Sequence, residues 1–216
     1  MKKLIIPILI LVLLSGTLFS QKIVTVEIQD KSWIAINGST NLLSFKLTHS
    51  GNKLPRKTIN TTAIQNLNKI YLSENQLSLT ARNFTSDNRM ALRDFLKLIK
   101  SKTYPTIEVQ LNYFESISND QTEDLYSKVN ASVNITITGV TQQYKIPVSS
   151  SQQGDLVTIL GEKKISIRDF GLVPPVEMMG LIKVSEWISI DFHMICKLTF
   201  TKASQGGIKV GKATQD

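Results

Sequence analysis

The chain has 216 residues, of which 19% are charged and 42% hydrophobic, and a formal net charge of +8 at pH 7. This length suits one domain, and a moderate charge excess mainly keeps a protein soluble. Lys97, Lys100 and Lys102 share one short segment and the other basic residues are scattered, which favours a solvated face over a nucleic-acid partner. The single cysteine, Cys196, excludes an internal disulfide, so the core alone must stabilise the fold.

The N-terminus has the pattern of a secretory signal peptide. Lys2 and Lys3 precede an apolar run from Leu4 to Leu14, and small residues follow as far as Ser20. The apolar run is about half the roughly 20 residues that a membrane-spanning helix needs. We therefore predict cleavage after residue 20, no permanent membrane anchor, and a periplasmic or secreted protein. The predicted domain spans residues 21–203, and residues 204–216 are predicted to form a flexible C-terminal tail.

Period-two alternation of apolar and polar residues predicts β-strands through most of the chain. In the segment TIEVQLNYF, for example, Ile107, Val109, Leu111 and Tyr113 fall on one face. The predicted strands are 23–29, 32–36, 41–47, 77–81, 106–114, 131–138, 144–148, 157–160, 164–168 and 187–200. Glycine-containing turns predict hairpins at 139–141 and 161–163, and polar composition predicts loops at 50–62 and 116–128.

One segment follows the helical period instead. Leu92, Phe95, Leu96 and Ile99 are spaced for one face of an amphipathic helix over about 88–100, with Ser86 or Asp87 as its predicted cap. Pro105 requires that the helix ends before residue 104.

The tripeptide Arg-Asp-Phe occurs at 93–95, inside this predicted helix, and again at 168–170, where a strand ends before Gly171 and Pro174-Pro175. The two copies are predicted to differ in local structure, so they are not a repeated catalytic unit.

Many alternating strands, one helix and no βαβ rhythm favour an antiparallel barrel or sandwich. Four segments then resemble one family: SWIAINGSTNLLSFKLTHSG, LRDFLKLIKSKTYPTIEVQL, VNITITGVTQQYKIPV and KISIRDFGLVPPVEMMGLIKVSEWISIDFHM. In this order they resemble the YceI-like, polyisoprenoid-binding family of exported bacterial proteins. The resemblance implies an all-β, eight-stranded, lipocalin-like antiparallel barrel with a short helix at its side, which binds a long amphipathic lipid inside the barrel. The connection 50–72 departs from the longer family members.

If the apolar strand faces point inward, they line the lumen of that barrel. The candidate ligand-binding residues are Phe45, Leu79, Ile107, Val109, Leu111, Ile135, Ile137, Ile190, Phe192 and Met194. The expected partner is an isoprenoid or fatty-acyl lipid, with no cofactor and no metal. Periodicity alone does not distinguish a ligand tunnel from a core filled by side chains, because both give the same alternation.

Two other functions stay open at this stage. One is an envelope stress or interaction module with a filled core and no ligand. The other is a small-molecule enzyme that uses His193, which shares a strand face with Asp191 but has no identifiable third metal ligand or nucleophile. We predict no catalytic residues and no enzymatic activity, and Cys196 is expected to be buried and inert. The oligomeric state is left open, a dimer included.

Overall fold

The computed structural model describes residues 21–116, 127–177 and 181–202. The predicted signal peptide and C-terminal tail lie outside these residues. The strands are β1 (Gln21–Ile28), β2 (Trp33–Ser39), β3 (Ser44–Ser50), β4 (Thr58–Asn66), β5 (Lys69–Ser73), β6 (Gln76–Thr80), β7 (Thr106–Ser116), β8 (Ser127–Ile137), β9 (Val140–Gln153), β10 (Leu156–Ser166), β11 (Val176–Glu177), β12 (Ile182–Lys183) and β13 (Trp187–Lys202). One α-helix, α1, spans Arg89–Leu98.

Eight strands form a closed antiparallel barrel, as predicted. The hydrogen-bonded order is β1-β4-β5-β7-β8-β9-β10-β13, and β1 then pairs with β13 to close the circuit. The closing pair runs in register from Lys22 opposite Lys202 to Ile28 opposite Cys196. Because every strand of the circuit has a partner on both sides, the barrel removes the open edges that an isolated sheet would present.

At one end of the barrel the wall is made of shorter pieces. The hairpin of β2 and β3 pairs with the first half of β13, and β6 pairs with the first half of β7. Among the described residues β3 does not pair with β6, and a single bridge joins Thr48 of β3 to Thr85, which lies beyond the turn after β6. Helix α1 packs at this end, where Phe95 contacts Phe84 and Phe84 contacts His49 of β3. We call this the helix end.

The core lies inside the barrel and follows the predicted alternation on β13. Ile188, Ile190, Phe192 and Met194 all pack against the buried cluster. Between them, Asp191 accepts a hydrogen bond from Asn37 Nδ2 at 2.6 Å on the outer face. The strand therefore separates apolar and polar residues as its period-two pattern predicts.

The predicted loop at 50–62 is partly wrong, because its second half belongs to β4. The chain continues through β4 and β5 as a hairpin whose turn includes Leu67 at φ 53°. The sequence of β4 is rich in Thr, Asn and Gln, and only Thr61 of that strand is buried. Polar residues occur on both faces of this strand. Its sequence therefore lacks the alternation of apolar and polar residues from which strands are predicted.

The predicted hairpin at 161–163 is also wrong, since Gly161 lies inside the continuous strand β10. Gly161 is required by side-chain packing and not by a turn. A Cβ at this position would lie 2.9 Å from Cε1 of Phe192 and 2.9 Å from Cγ1 of Val148. The turn occurs earlier, at Gly154, with φ 63°. The hairpin predicted at 139–141 is present, and its turn residues Thr138 and Gly139 have φ of 52° and 81°.

A bulge in β7 overturns the predicted face of Tyr113. The register with β8 shifts between Leu111 and Tyr113, so the alternation changes phase at Asn112. Phe114 consequently packs against the core, while Tyr113 contacts Tyr71 at 5.4 Å between ring centroids.

The N-cap of helix α1 lies one residue after Asp87 and two after Ser86, the two predicted caps. Asn88 is the N-cap, and its Oδ1 accepts a hydrogen bond from the Ala91 amide at 3.0 Å. Ser86 supports the cap indirectly, because its hydroxyl accepts from the Asn88 amide. Among the described residues no helix is both long and apolar enough to cross a membrane.

Candidate ligand-binding cavity

A predominantly apolar cavity of about 140 Å³ lies at the helix end, between α1 and the barrel wall. Four parts of the chain enclose it: the tip of the β2–β3 hairpin, helix α1, the inner faces of the barrel strands, and the segment after β10. The lining residues are Ile36, Thr40, Leu42, Leu43, Phe45, Leu47, Asn88, Met90, Ala91, Asp94, Phe95, Leu98, Ile99, Ile107, Ile137, Ile167, Leu172, Pro175, Ile182, Val184, Ser185 and Ile188.

Helix α1 forms one wall of the cavity. Ala91, Phe95 and Leu98 face the cavity, and none of the residues of α1 is fully buried. Phe95 packs edge-on against Phe84 on its other side, with ring centroids 5.2 Å apart. The first Arg-Asp-Phe tripeptide therefore contributes a cavity wall through its phenylalanine.

The opposite wall depends on a glycine–phenylalanine pair across β2 and β3. Gly38 lies directly opposite Phe45, and a Cβ on Gly38 would lie 2.7 Å from Cε2 of Phe45. The absence of a side chain lets the Phe45 ring lie over the strand instead of projecting into the cavity. A larger residue at Gly38 would force the ring to move.

Few polar groups line the cavity, and most are already hydrogen-bonded. The Oδ1 of Asn88 caps the helix, and the hydroxyl of Ser185 accepts a hydrogen bond from the Trp187 amide at 3.1 Å. Asp94 pairs with Arg93 Nε at 3.2 Å. The lining therefore suits an apolar chain, with one carboxylate as its most polar element.

Exposed apolar side chains lie among the cavity-lining residues and beside them in the chain. We define the apolar rim as Leu42 (70% exposed), Leu43 (52%), Met90 (54%), Val173 (70%), Val176 (59%) and Leu181 (70%). Leu42, Leu43 and Met90 also line the cavity, and the other three lie next to lining residues in the chain. Several exposed large apolar residues at one end of a soluble domain indicate an interaction site.

Hydrogen bonds hold the hairpin tip of the rim in place. Thr40 Oγ1 accepts from the amides of Leu42 and Leu43 at 3.1 and 3.0 Å, so these leucines occupy a defined turn. Asn41 Oδ1 accepts from the Lys183 amide at 3.0 Å, and its Nδ2 donates to the Leu181 carbonyl. The two loops therefore satisfy each other's polar groups and leave their leucine side chains in solvent.

The second Arg-Asp-Phe tripeptide positions another part of the cavity. Residues Ile167–Phe170 form a 3₁₀ turn, and Gly171 ends it at φ 69°. Asp169 accepts a hydrogen bond from the Tyr144 hydroxyl at 2.9 Å, which ties the turn to β9. Burial, reinforced by this carboxylate, raises the pKa of Tyr144, so the hydroxyl keeps its proton. Ile167 and Leu172, on either side of the tripeptide, then line the cavity.

The cavity includes three of the ten residues proposed from the sequence: Phe45, Ile107 and Ile137. Leu79 and Ile135 are buried in the packed interior, and Val109, Leu111, Ile190, Phe192 and Met194 pack against that interior. These seven do not line the cavity, and their contact with a ligand stays a prediction.

Sequence reasoning missed the residues contributed by α1 and by the segment 172–188. The helical period assigned one face of α1 to the core, through Leu92, Phe95, Leu96 and Ile99. Ala91, Asp94 and Leu98 lie on the flank of that face, where the helix meets the cavity. The sequence does contain a feature that indicates this role. Leu98 widens the apolar face of the helix beyond the four residues used to predict it.

The residues considered for catalysis lie away from the cavity. His193 is on the outer face of β13, with its ring centroid 6.0 Å from that of Trp33. The described residues contain no group of three His, Cys, Asp or Glu side chains arranged to hold a metal ion. Cys196 is buried, and burial raises the pKa of its thiol to about 11. A thiol with that pKa is a poor nucleophile near neutral pH.

Comparisons with known proteins agree with this architecture. A model of the YceI-like domain matches residues 24–196. The fold is similar to the crystal structure of Burkholderia cenocepacia BcnA, with 18% sequence identity, a TM-score of 0.50, and coverage of 76% of this chain and 96% of that chain. It is also similar to a polyisoprenoid binding domain from Saccharophagus degradans implicated in plant cell wall breakdown, with 10% identity, a TM-score of 0.56, and coverage of 81% and 98%. Such low identities show the fold alone. No curated protein matches the chain in sequence.

Proposed function

The chain belongs to the YceI-like domain family, and on that basis we propose that it binds the apolar chain of an isoprenoid or other amphipathic lipid at the helix end of its barrel. The observation that carries the proposal is the apolar cavity between α1 and the barrel wall, with an exposed apolar rim around its mouth. The likeness to a polyisoprenoid binding domain supports the same ligand class. In this proposal the protein is a carrier or sequestering protein and not an enzyme.

The size of the cavity limits how much of a lipid it accepts. Its volume of about 140 Å³ is close to the ~150 Å³ of an apolar cavity that takes up one benzene-sized molecule. One isoprene unit, with five carbons, is of that size. Burying about five carbons at about 0.8 kcal/mol each contributes roughly 4 kcal/mol before the cost of ordering the chain. Tight binding therefore requires contacts beyond the cavity as it stands.

Two features of the site supply those contacts. The apolar rim extends the apolar surface outward from the cavity, so a longer lipid chain can lie across it. Helix α1 can also be displaced at lower cost than a barrel strand, because none of its residues is fully buried. We propose that a chain of several isoprene units enters by shifting α1 away from the barrel wall.

Uptake of prenyl alcohols of increasing length, measured by native mass spectrometry, tests the proposal. We expect a bound adduct whose affinity rises with the number of isoprene units and whose binding slows hydrogen exchange in α1. The variant Leu98→Trp should fill the cavity and reduce uptake at least tenfold. Lys97→Trp places the same side chain on the exposed side of α1, at the adjacent position, and should leave uptake unchanged.

A second candidate function is supported by the packed interior of the barrel. Twenty residues from strands, turns and the end of α1 form one buried cluster, so much of the barrel is filled by its own side chains. An interaction module of the envelope would need no ligand. If no prenyl or acyl lipid binds and Leu98→Trp behaves like Lys97→Trp, this second function is favoured.

We further propose that the protein works in the cell envelope, in the periplasm or outside the cell. The support is the signal-peptide pattern of residues 1–20, namely two lysines followed by an apolar run and small residues. Fractionation of cells that express the full chain, with N-terminal sequencing of the product, tests this. A cytoplasmic product that retains Met1 would contradict it.

A further inference from the structure

The helix that covers the cavity carries an unusual concentration of positive charge. Residues 82–102 contain six cationic side chains and two carboxylates, so this short segment holds half of the net charge of the whole chain. Arg89, Arg93 and Lys97 are spaced four residues apart and form an exposed stripe along α1. Arg82, Lys100 and Lys102 continue it into a surface groove beside the end of the helix. We call these six residues the basic face.

Five of the six cations of the basic face have no acidic partner within 4.0 Å among the described residues. Elsewhere Glu115 pairs with both Lys69 and Lys145, and Asp155 pairs with Lys197. Within the described part of the chain, only Arg93 of the basic face has a carboxylate within 4.0 Å, that of Asp94. The charge of this face is therefore available to an external anionic surface.

The basic face and the cavity lie on two flanks of the same helix. Ala91, Asp94 and Leu98 face the cavity, whereas Leu96, Lys97 and Lys100 line the basic groove. The exposed Met90, at the start of α1, belongs to the apolar rim. Cationic and large apolar side chains thus occur together around one opening, which is the pattern of surfaces that lie in the headgroup region of a bilayer.

We propose that the helix end docks on the surface of an anionic phospholipid bilayer, with the basic face against the headgroups and the apolar rim inserted between them. The proposal rests on the proposed function, because docking would bring the cavity mouth to the place where its lipid resides. A nucleic acid would also attract the cations, but it would leave the exposed leucines of the rim unexplained. The combination of both side-chain types favours the bilayer.

Vesicle co-sedimentation of the folded chain tests the proposal without any prenyl lipid present. We expect at least tenfold stronger binding to phosphatidylcholine vesicles containing about one-third phosphatidylglycerol than to phosphatidylcholine alone, and loss of this difference in 1 M salt. The double variant Lys97→Glu/Lys100→Glu should weaken binding to the anionic vesicles at least tenfold. Leu42→Ser/Leu43→Ser should weaken binding at low and high salt alike.

The matched control is Lys22→Glu/Lys31→Glu, which makes the same change in net charge at exposed lysines away from α1. It should bind anionic vesicles within about twofold of the unaltered chain. Equal effects of the two double variants, equal binding to both vesicle types, or preference for duplex DNA over vesicles would overturn the docking proposal. Prenyl alcohol uptake measured without vesicles would be unaffected by that failure, so the two proposals can be separated.

Discussion

Two leucines at the helix end show how differently a wall strand and the helix pack there. Leu79, on β6, is 3% exposed and is surrounded by the side chains of the packed cluster. Leu98, on α1, touches the same cluster but lines the cavity and is only half-buried. Leu79 packs from a strand of the barrel wall, where β6 pairs with β7, whereas Leu98 packs from the helix that lies against that wall.

The difference follows from the geometry of the two elements. Neighbouring strands share a period of two residues, so their inward side chains interlock in layers. A helix presents side chains every three or four residues and cannot match that spacing along its whole length. The cavity occurs where the helix packs against strands. In this region the protein's own side chains fill the space least completely, so a ligand can enter.

Truncating the two leucines should give the largest contrast. Leu79→Ala removes a fully packed side chain and should lower the free energy of unfolding by about 3–5 kcal/mol. Leu98→Ala removes one that already borders empty space and should cost about 1–2 kcal/mol. Urea unfolding measures both values. Equal losses would mean that α1 packs against the barrel as tightly as β6 does in solution.

Two glycine–phenylalanine pairs sharpen the same contrast. Gly161→Ala presses on Phe192 within the packed interior and should cost about 1–3 kcal/mol of unfolding free energy. Gly38→Ala presses on Phe45, which can move into the cavity, so it should cost under about 1 kcal/mol. Uptake of a prenyl alcohol should instead be reduced more by Gly38→Ala than by Gly161→Ala. Only Gly38→Ala moves a side chain, the Phe45 ring, into the cavity. Loss of uptake in Gly161→Ala, with Gly38→Ala unaffected, would place the ligand in the packed interior.

The free energy of unfolding should depend on pH through His49, which contacts Phe84 in the buried cluster. This histidine is 1% exposed, and its burial lowers the pKa of the imidazole. A hydrogen bond to the Ser50 carbonyl raises that pKa and the charge of Lys53 lowers it, but burial is the largest cause. Below pH 6.5 the unfolded chain takes up the proton first, so stability present above pH 6.5 is lost as the pH falls toward the folded-state pKa.

The loss between about pH 6.5 and 5 should not exceed about 1.4 kcal/mol per pH unit, and urea unfolding across this range measures it. His49→Gln should flatten the profile. A profile in which His49→Gln loses as much stability with falling pH as the unaltered chain would contradict this assignment.

The smallest effect is expected outside the barrel, on its outer wall. Hydrogen bonds from Lys145 and Lys69 lower the pKa of the Glu115 carboxyl. These ion pairs are exposed enough for solvent and salt to screen them. Glu115→Gln should therefore shift the thermal midpoint only slightly, and 1 M salt should abolish the shift. A shift that persists in high salt would indicate a structural role for this carboxylate beyond its ion pairs.

The sequence predicted the parts of the fold in which one face of an element is consistently apolar. On β13, alternation from Ile188 to Met194 identified both the strand and its inner face. On α1, Leu92, Phe95 and Ile99 identified the helix. The resemblance to a known family then supplied closure of the sheet into a barrel, which alternation alone could not distinguish from a sandwich.

The remaining features depend on contacts that local patterns do not record. Gly161 looked like a turn residue, but it is required by the ring of Phe192, which comes from a distant strand. Tyr113 changed face because Asn112 is inserted as a bulge. The cavity itself depends on how α1 sits against the barrel, so Leu98 was not predicted to line it although its sequence neighbours were placed correctly.

Closure of the barrel by its first and last strands has a consequence for the order of events in folding. Ile28 and Cys196 sit side by side, and nearly the whole described chain must be present before they can meet. Joining such distant segments carries a large loop-closure cost, which slows barrels relative to helical proteins. A nascent chain therefore cannot complete the circuit early, and the barrel stays unclosed until β13 has been synthesised.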